Sequence, residues 1–208
     1  RMDVREALQR RRSIRHFEPD GLLLTRETLE DLIAEASLAP SEHNLQPWRF
    51  IVVRDRERKE VLRECLHRQE RVRDASALVI VCGDLYGDIR APEVIAEWVE
   101  QGMISERAGD EHLEAVKAFY EKSEAARNAL ALRNPSFVAM ALMLLATERG
   151  IASSPITGFD DVAMRRAFSI PSRFVPVVVV ALGLPSMKTG QPPRGSRQGP
   201  DKTVVHED

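Results

Sequence analysis

Cysteine is scarce in this sequence, and neither of its two copies lies in a setting that predicts a disulfide. Cys65 falls in a charged segment with helical spacing and Cys82 falls inside an apolar strand, so we expect both to be reduced thiols. The five histidines are scattered, and no group of Cys, His and carboxylate residues has the spacing of metal ligands. The sequence therefore predicts neither a disulfide nor a bound metal.

An excess of charge and a long hydrophobic run are also absent. Lys and Arg total 30 against 32 Asp and Glu, so the net charge of -2 offers no overall attraction for nucleic acid or anionic lipid. The longest apolar run, Phe137 to Ala146, is about half of the roughly 20 residues that a membrane-spanning helix needs. No apolar stretch follows the arginines at the amino terminus, where Arg1 ahead of Met2 resembles a cloning remnant, so we expect a cytoplasmic protein without a secretory signal.

The length of 208 residues and the mass of 23.4 kDa predict one domain, residues 1–208. The spacing of apolar residues predicts helices and strands in mixed order, and hence an α+β fold with a mixed central β-sheet flanked by helices. Residues 186–208, rich in Gly, Pro and cations at their start, predict an extended tail that can embrace a partner subunit. The predicted helices cover about residues 3–11, 25–36, 56–66 and 160–168, and the predicted strands cover 48–53, 77–82, a short segment before 155 and 174–182.

Two further regions carry predictions about where a helix begins or breaks. Residues 91–128 are typical of two helices or of one broken helix, with the break at Gly109-Asp110. Pro135 lies near the predicted start of a long helix that ends at Arg149 and is capped by Gly150. That helix is apolar around most of its circumference, so we expect it to be buried on nearly every side, in part by a second subunit.

The stretch Arg11-Arg12-Ser13-Ile14-Arg15 supplies three guanidiniums and a hydroxyl group at the predicted end of the first helix. Such groups hold a dianionic phosphate, and a spare cation remains for a neighbouring acceptor. Taken alone, the stretch also fits a solvated basic helix end that complements the helix dipole.

A turn-rich loop with two amide side chains follows, Pro40-Ser41-Glu42-His43-Asn44-Leu45-Gln46-Pro47-Trp48. Amides donate and accept hydrogen bonds, which is the mixture that the pyrimidine edge of a flavin requires. Taken alone, the loop also fits a proline-bounded turn in which Asn44 and Gln46 satisfy local backbone groups. Together, the basic stretch and this loop predict a site for a flat polar ring with a phosphate tail, and hence flavin mononucleotide (FMN).

The pattern RRSIRxF followed by PSxxNxQPW closely resembles the nitroreductase family of flavin-dependent oxidoreductases. The resemblance continues through Asp74-Ala75-Ser76, the segment from Pro155 to Asp160 and the segment from Val177 to Pro185. It implies an intimate homodimer with FMN near the subunit interface. Residues 86–134 do not match a fixed family pattern, and we interpret them as a variable helical excursion or lid.

The resemblance also implies which residues bind the cofactor. Arg11, Arg12 and Ser13 would hold the phosphate, and Arg15 would lie beside N1 and the C2 carbonyl of the ring. Backbone amides at Thr157 and Gly158 would point to N5 and O4, so no catalytic side chain is expected. The remaining positions are Pro40, Ser41, Asn44 and Gln46 around the ring, Gln69 and Arg71 along its pyrimidine side, Pro155 and Ile156 near N5, and Arg194 and Arg197 at the phosphate.

Simpler interpretations exist for three of these groups when each is taken singly. Gln69 and Arg71 fit a charged helix exit, and the segment from Pro155 to Gly158 fits a strand-to-helix turn. Arg194 and Arg197 fit a basic tail.

The activity that the resemblance implies is a ping-pong cycle. NADH or NADPH delivers hydride to N5, and a nitroaromatic, quinone or related acceptor then takes the electrons at the same open face. One shallow site serves both substrates, which agrees with the absence of a GxGxxG fingerprint. The alternatives are a flavin-fragmenting or dehalogenating enzyme on the same scaffold, or a non-catalytic flavin-binding protein. Dehalogenation is less favoured because Tyr120 has Val116, and not Glu, four residues before it.

Overall fold

An antiparallel four-stranded sheet forms the centre of the computed structural model, which describes residues 2–207. The strands pair in the order β1-β2-β4-β3, and each neighbouring pair is antiparallel. The α+β prediction is confirmed, but the four strands are not mixed in direction: the parallel pairing found in the described residues is a single bridge between Ser13 and Ser153. Arg1, interpreted as a cloning remnant, lies outside the described residues. The strands are β1 (Trp48–Val53), β2 (Ala77–Asp84), β3 (Ala152–Ile156) and β4 (Phe174–Gly183).

The helices begin mostly where capping residues predict. Thr25 Oγ1 accepts a hydrogen bond from the Thr28 amide at 3.2 Å, and Asp160 Oδ1 accepts one from the Ala163 amide at 2.9 Å. The α-helices are α1 (Val4–Arg10), α2 (Arg26–Ala36), α3 (Arg56–Cys65), α4 (Glu70–Asp74), α5 (Ala91–Glu100), α6 (Glu106–Glu121), α7 (Glu124–Glu148), α8 (Asp161–Ala167) and α9 (Pro200–Thr203), and single 3₁₀ turns cover Glu42–Asn44 and Gly87–Arg90.

Helices cover both faces of the sheet, and every residue of β2 is buried. Leu78 and Ile80 belong to a core shared with α3, α4 and α8, whereas Val79 and Val81 belong to a core shared with α2 and α7. Residues that alternate along a strand point to opposite faces, so an uninterrupted apolar run fits a central strand between two helical layers. Burial raises the pKa of the Cys82 thiol in this strand to about 11, so it stays protonated at neutral pH.

The long helix α7 begins earlier than predicted. Ser123 Oγ accepts a hydrogen bond from the Ala126 amide at 3.1 Å and caps the helix, so Pro135 lies inside α7 and not near its start. Gly150, with φ of +75°, follows its end as predicted. Because Pro135 has no N–H, it cannot donate to the carbonyl of Ala131 four residues earlier.

The sheet approaches α7 closely at that carbonyl. A Cβ atom added to Gly83 of β2 would lie 1.8 Å from the Ala131 oxygen. We therefore expect Gly83→Ala to lower the free energy of unfolding by about 3 kcal/mol, because the obstacle is backbone and cannot rotate away. Urea titration measures this loss, and Gly195→Ala, whose Cβ would meet its nearest atom at 4.0 Å, is the matched control. Equal stability of the two variants would contradict the close approach.

The predicted break at Gly109-Asp110 is wrong. The chain turns between α5 and α6, where Gly102 has φ of +70°, and Gly109 lies inside α6. A Cβ atom at Gly109 would lie 3.1 Å from Val99 and 3.2 Å from Ile95. Gly109 thus allows α6 to pack closely against α5, and this contact explains a glycine that the sequence alone suggested as a helix breaker.

The helical excursion packs around its own apolar cluster. Residues from α5, α6 and the first turns of α7 enclose it, and Leu45 from the loop before β1 is buried within it. Residues 86–134 are therefore joined to that loop by a buried contact, as well as by the chain.

By length and composition, α7 could cross a membrane, which the longest apolar run did not indicate. Half of its most apolar window is buried in the structure, and its buried side chains, Val138 and Leu142 among them, pack against β2 and β4. The long central helix of a globular domain has this arrangement.

Candidate functional site

Five of the predicted arginines surround one cavity at the end of α1. The tail returns to this point, so that residues far apart in sequence share a cavity of about 350 Å³, which we call the basic cavity. It is lined by Arg11, Arg12, Ser13, Arg15, Pro192, Pro193, Arg194, Gly195 and Arg197. The cationic side of the predicted site therefore exists within one chain.

Two of these arginines also cap the end of α1. Arg12 Nη1 donates to the carbonyls of Gln9, Arg10 and Arg11 at 2.6, 3.2 and 3.0 Å. Arg194 Nη2 donates to three carbonyls of the same turn, at 2.6 to 3.0 Å. The last carbonyls of a helix lack helical partners, so these guanidiniums stabilise α1 and tie the tail to it.

Arg11 is placed differently. Its Nη1 atom is buried and has no hydrogen-bond partner among residues 2–207. Burial lowers the pKa of Arg11 from its usual value, and the nearby charges of Arg197 and Arg12 lower it further. A buried guanidinium nitrogen without a hydrogen-bond partner costs free energy, which an anion in the basic cavity would offset.

The basic stretch of residues 11–15 contacts the sheet at β3. Ser13 forms a bridge with Ser153, and the Ile14 amide donates to the Ser153 carbonyl at 3.0 Å. Ile14 and Phe17 are buried in the core, whereas Ser13 and Arg15 are exposed. The core contacts therefore fix the backbone and leave the polar side chains free to meet a ligand.

Gln69 and Arg71 reach the same strand. Arg71 Nη1 donates to Ser154 Oγ at 2.9 Å, and Arg71 Nε donates to Gln69 Oε1 at 2.8 Å. Burial lowers the pKa of Arg71, and the charge of Arg15 lowers it further, which places the two cations near each other.

Thr157 and Gly158 follow the end of β3 and are exposed. A Cβ atom on Gly158 would meet nothing within 4 Å, so the space beside its backbone is open. Thr157 lies four positions after Ser153, which corresponds to about 13 Å along a strand. The predicted site residues from the basic cavity, past Arg71, to Gly158 lie near β3, and we call this set of residues the β3 strip. It contains Arg11, Arg12, Ser13, Arg15, Gln69, Arg71, Pro155, Ile156, Thr157, Gly158, Arg194 and Arg197.

The loop of residues 40–46, here called the amide loop, has an unusual backbone. His43, Asn44 and Gln46 have φ of +50°, +54° and +49°, in the left-handed region. Ser41 Oγ accepts from the Gln46 amide at 2.9 Å, and Gln46 Nε2 donates to Asn44 Oδ1 at 3.1 Å. Each left-handed residue of this kind costs roughly 1–3 kcal/mol, and such strain collects at functional sites.

Two residues that support the amide loop were missed by sequence reasoning. Asn134 is 2% exposed, and its Oδ1 accepts from the Glu42 amide at 2.9 Å. His112 Nε2 lies 2.9 Å from His43 Nδ1. For Asn134 a signal existed, since an amide beside a proline in an apolar segment needs a polar partner; for His112 there was none.

The amide loop and the basic end of the β3 strip lie at opposite corners of the sheet. The loop leads into Trp48, which pairs with Gly83 on the β1 edge, whereas Ser153 pairs with Leu182, opposite Ala77, on the β3 edge. Six residues along β2 and three strand spacings correspond to about 20 Å and about 14 Å. The structure therefore does not bring the two motifs together within one chain.

Comparison with known proteins gives a consistent result. The sequence pattern described as the Nitroreductase family matches residues 8–184. YodC of Bacillus subtilis, named as an NAD(P)H nitroreductase, is 32% identical over 178 residues, 86% of this chain and 87% of its own. An NADH dehydrogenase of Thermus thermophilus is 34% identical over 189 residues, 89% and 88% of the two chains. A solved structure from Exiguobacterium sibiricum, described as a nitroreductase in complex with FMN, has a TM-score of 0.88 and 28% identity, covering 100% and 98%.

Proposed function

Because the chain belongs to the nitroreductase family, we propose that it is an FMN-dependent oxidoreductase that uses NADH or NADPH to reduce nitroaromatic, quinone or related acceptors. The observation that carries this proposal is the buried, unpartnered Nη1 of Arg11 at the basic cavity. A phosphate is the anion that fits a cavity lined by guanidiniums. The FMN complex of the similar protein supports flavin as the phosphate's carrier.

The β3 strip fits the rest of an elongated cofactor. Arg11 and Ser13 would hold the phosphate, while Arg15 and Arg71 would lie beside the pyrimidine side of the ring. Two cations there favour negative charge on the ring, about 4 kcal/mol for one cation at 4 Å with an effective dielectric of 20. The main-chain amides of Thr157 and Gly158, where the space beside the backbone is open, would donate hydrogen bonds near the reactive nitrogen of the ring.

Bound FMN would supply a two-electron carrier that takes hydride from NADH or NADPH and then reduces the acceptor, in a ping-pong cycle. The chain needs no acid or nucleophile of its own for this chemistry. Its groups bind the phosphate, orient the ring and leave one face open. The exposure of Thr157 and Gly158 is consistent with access for two substrates in turn.

The amide loop would contribute to this site from a second copy of the chain. Within one copy it lies at the wrong corner of the sheet, so Pro40, Ser41, Asn44 and Gln46 would reach the ring across a homodimer interface. Apolar side chains of α7 support such an interface, because Phe137 is 52% exposed and Leu132 is 48% exposed. In this arrangement residues 1–208 act as one domain. The tail, predicted to embrace a partner subunit, instead returns to α1 of its own chain, where Arg194 ties it to three carbonyls.

A flavin spectrum tests the activity directly. The purified protein is expected to bind FMN and turn yellow, to bleach on anaerobic addition of NADH or NADPH, and to regain colour when menadione or nitrofurazone is added. Stopped-flow absorbance follows both half-reactions, and Arg11→Ala loaded with the same FMN concentration is the control. A yellow protein that both nicotinamides leave oxidised would contradict the reductase and favour a non-catalytic flavin-binding protein or a flavin-consuming enzyme.

We further propose that the protein works in the cytoplasm, where both nicotinamides are supplied.

A further inference from the structure

A contact between the amide loop and α6 involves no residue so far assigned to the cofactor. His43 Nδ1 and His112 Nε2 lie 2.9 Å apart, and the ring centroids are 4.8 Å apart at an interplanar angle of 79°. Trp98 of α5 packs edge-on against His112, with centroids 5.5 Å apart. One hydrogen bond and one edge-to-face contact therefore join the loop to α6, and Trp98 supports the His112 ring from within the helical excursion.

The loop needs such outside support because its backbone is strained. Asn134 holds its start, and Leu45 is anchored in the apolar cluster of the excursion. His112 holds His43, the residue directly before Asn44. Leu45 and His112 thus fix the residues on either side of Asn44, whose amide is the side chain expected to meet the flavin ring, and of these two anchors only His112 acts through a polar contact.

We propose that His112 is a positioning residue for the cofactor: through its hydrogen bond to His43, it holds the amide loop in the conformation that presents Asn44 to the flavin ring. This proposal rests on the proposed function and deepens it. It gives residues 86–134 a part in FMN binding, in addition to the covering role that the sequence suggested.

A matched pair of substitutions separates the hydrogen bond from packing. His112→Phe keeps a ring against Trp98 and loses both nitrogens, whereas His112→Gln can place an amide nitrogen near the position of Nε2. We expect His112→Phe to weaken FMN binding about fivefold, or about 1 kcal/mol at 1.4 kcal/mol per tenfold change. His112→Gln should stay within about twofold of the unchanged protein, since one hydrogen bond can re-form. Quenching of FMN fluorescence on binding gives each Kd.

The loop mechanism has a second test in an Asn44→Ala background. If His112 acts through Asn44, then His112→Phe should add no further loss of FMN affinity there. His43→Phe removes the same hydrogen bond from the loop side and should weaken FMN binding by the same factor as His112→Phe. Two independent variants keep the test valid if one of them folds poorly. Glu111→Gln, at the neighbouring exposed position on α6, is the control and should bind FMN normally.

Three results would overturn the proposal: normal FMN affinity in His112→Phe, an equal loss in His112→Gln, or an undiminished loss in the Asn44→Ala background. An equal loss in His112→Gln would assign the effect to ring packing alone. Failure of the unchanged protein to bind FMN would instead contradict the proposed function, so the two failures are distinguishable.

Discussion

Replacement of Arg11 by alanine is expected to weaken FMN binding about 100-fold, because hydrogen bonds to a charged group contribute about 1.5–3 kcal/mol and each 1.4 kcal/mol is a factor of ten. The side chain is positioned for an anion before any ligand arrives, since its Nη1 is buried and unpartnered among the described residues. Arg11 is partly buried, and removing a side chain whose buried Nη1 has no partner should not destabilise the fold. Isothermal titration of the FMN-free protein with FMN measures the affinity.

Two neighbouring arginines make this prediction specific. Arg10 lies next in sequence, but it pairs with Glu6 at 2.5 Å on the exposed side of α1, so Arg10→Ala should bind FMN normally. Arg12→Ala should act mainly on stability, because Arg12 caps three carbonyls of α1. It should lower the melting temperature clearly and change FMN affinity less than Arg11→Ala does. If Arg11→Ala bound FMN as tightly as Arg10→Ala does, the basic cavity would not be the phosphate site.

Local signals in the sequence were enough to predict much of the fold. The caps at Thr25 and Asp160 and the wholly apolar segment of β2 specify their elements through contacts within a few residues. The roles of Pro135 and Gly109 were predicted wrongly because tertiary contacts determine both. Pro135 is accommodated inside α7 where Gly83 meets the Ala131 carbonyl, a pairing that no local pattern contains.

The candidate site, like the fold, could be predicted from local patterns only in part. The motifs contain the residues of the β3 strip, but the different tasks of Arg11, Arg12 and Arg194 depend on which carbonyls at the end of α1 each guanidinium reaches in the folded chain. His112 and Asn134 escaped prediction because their partners in the amide loop are 69 and 92 residues away in sequence. Long-range polar contacts of this kind leave no periodic trace in one sequence.

Separation of the two motifs within one chain leads to the second large prediction, that each site is shared between two copies. Arg11→Ala removes a phosphate ligand from the β3 strip, and Asn44→Asp replaces an amide donor of the amide loop with an anion. Each homodimer should therefore hold little FMN when FMN is supplied at about ten times the Kd of the unchanged protein, because each substitution damages both of its sites.

Mixed dimers test this central claim most directly. Arg11→Ala and Asn44→Asp chains carrying different affinity tags are co-expressed, and dimers that contain one of each are isolated by two successive affinity steps. If sites are shared, one site combines both intact residues and the other carries both defects, so the mixed dimer should recover about half of the normal FMN content and NADH-dependent acceptor reduction. If both residues served the same chain's site, every site would carry one defect, and the mixed dimer would be as impaired as its parents. That result, or failure to isolate any mixed dimer, would contradict the shared site.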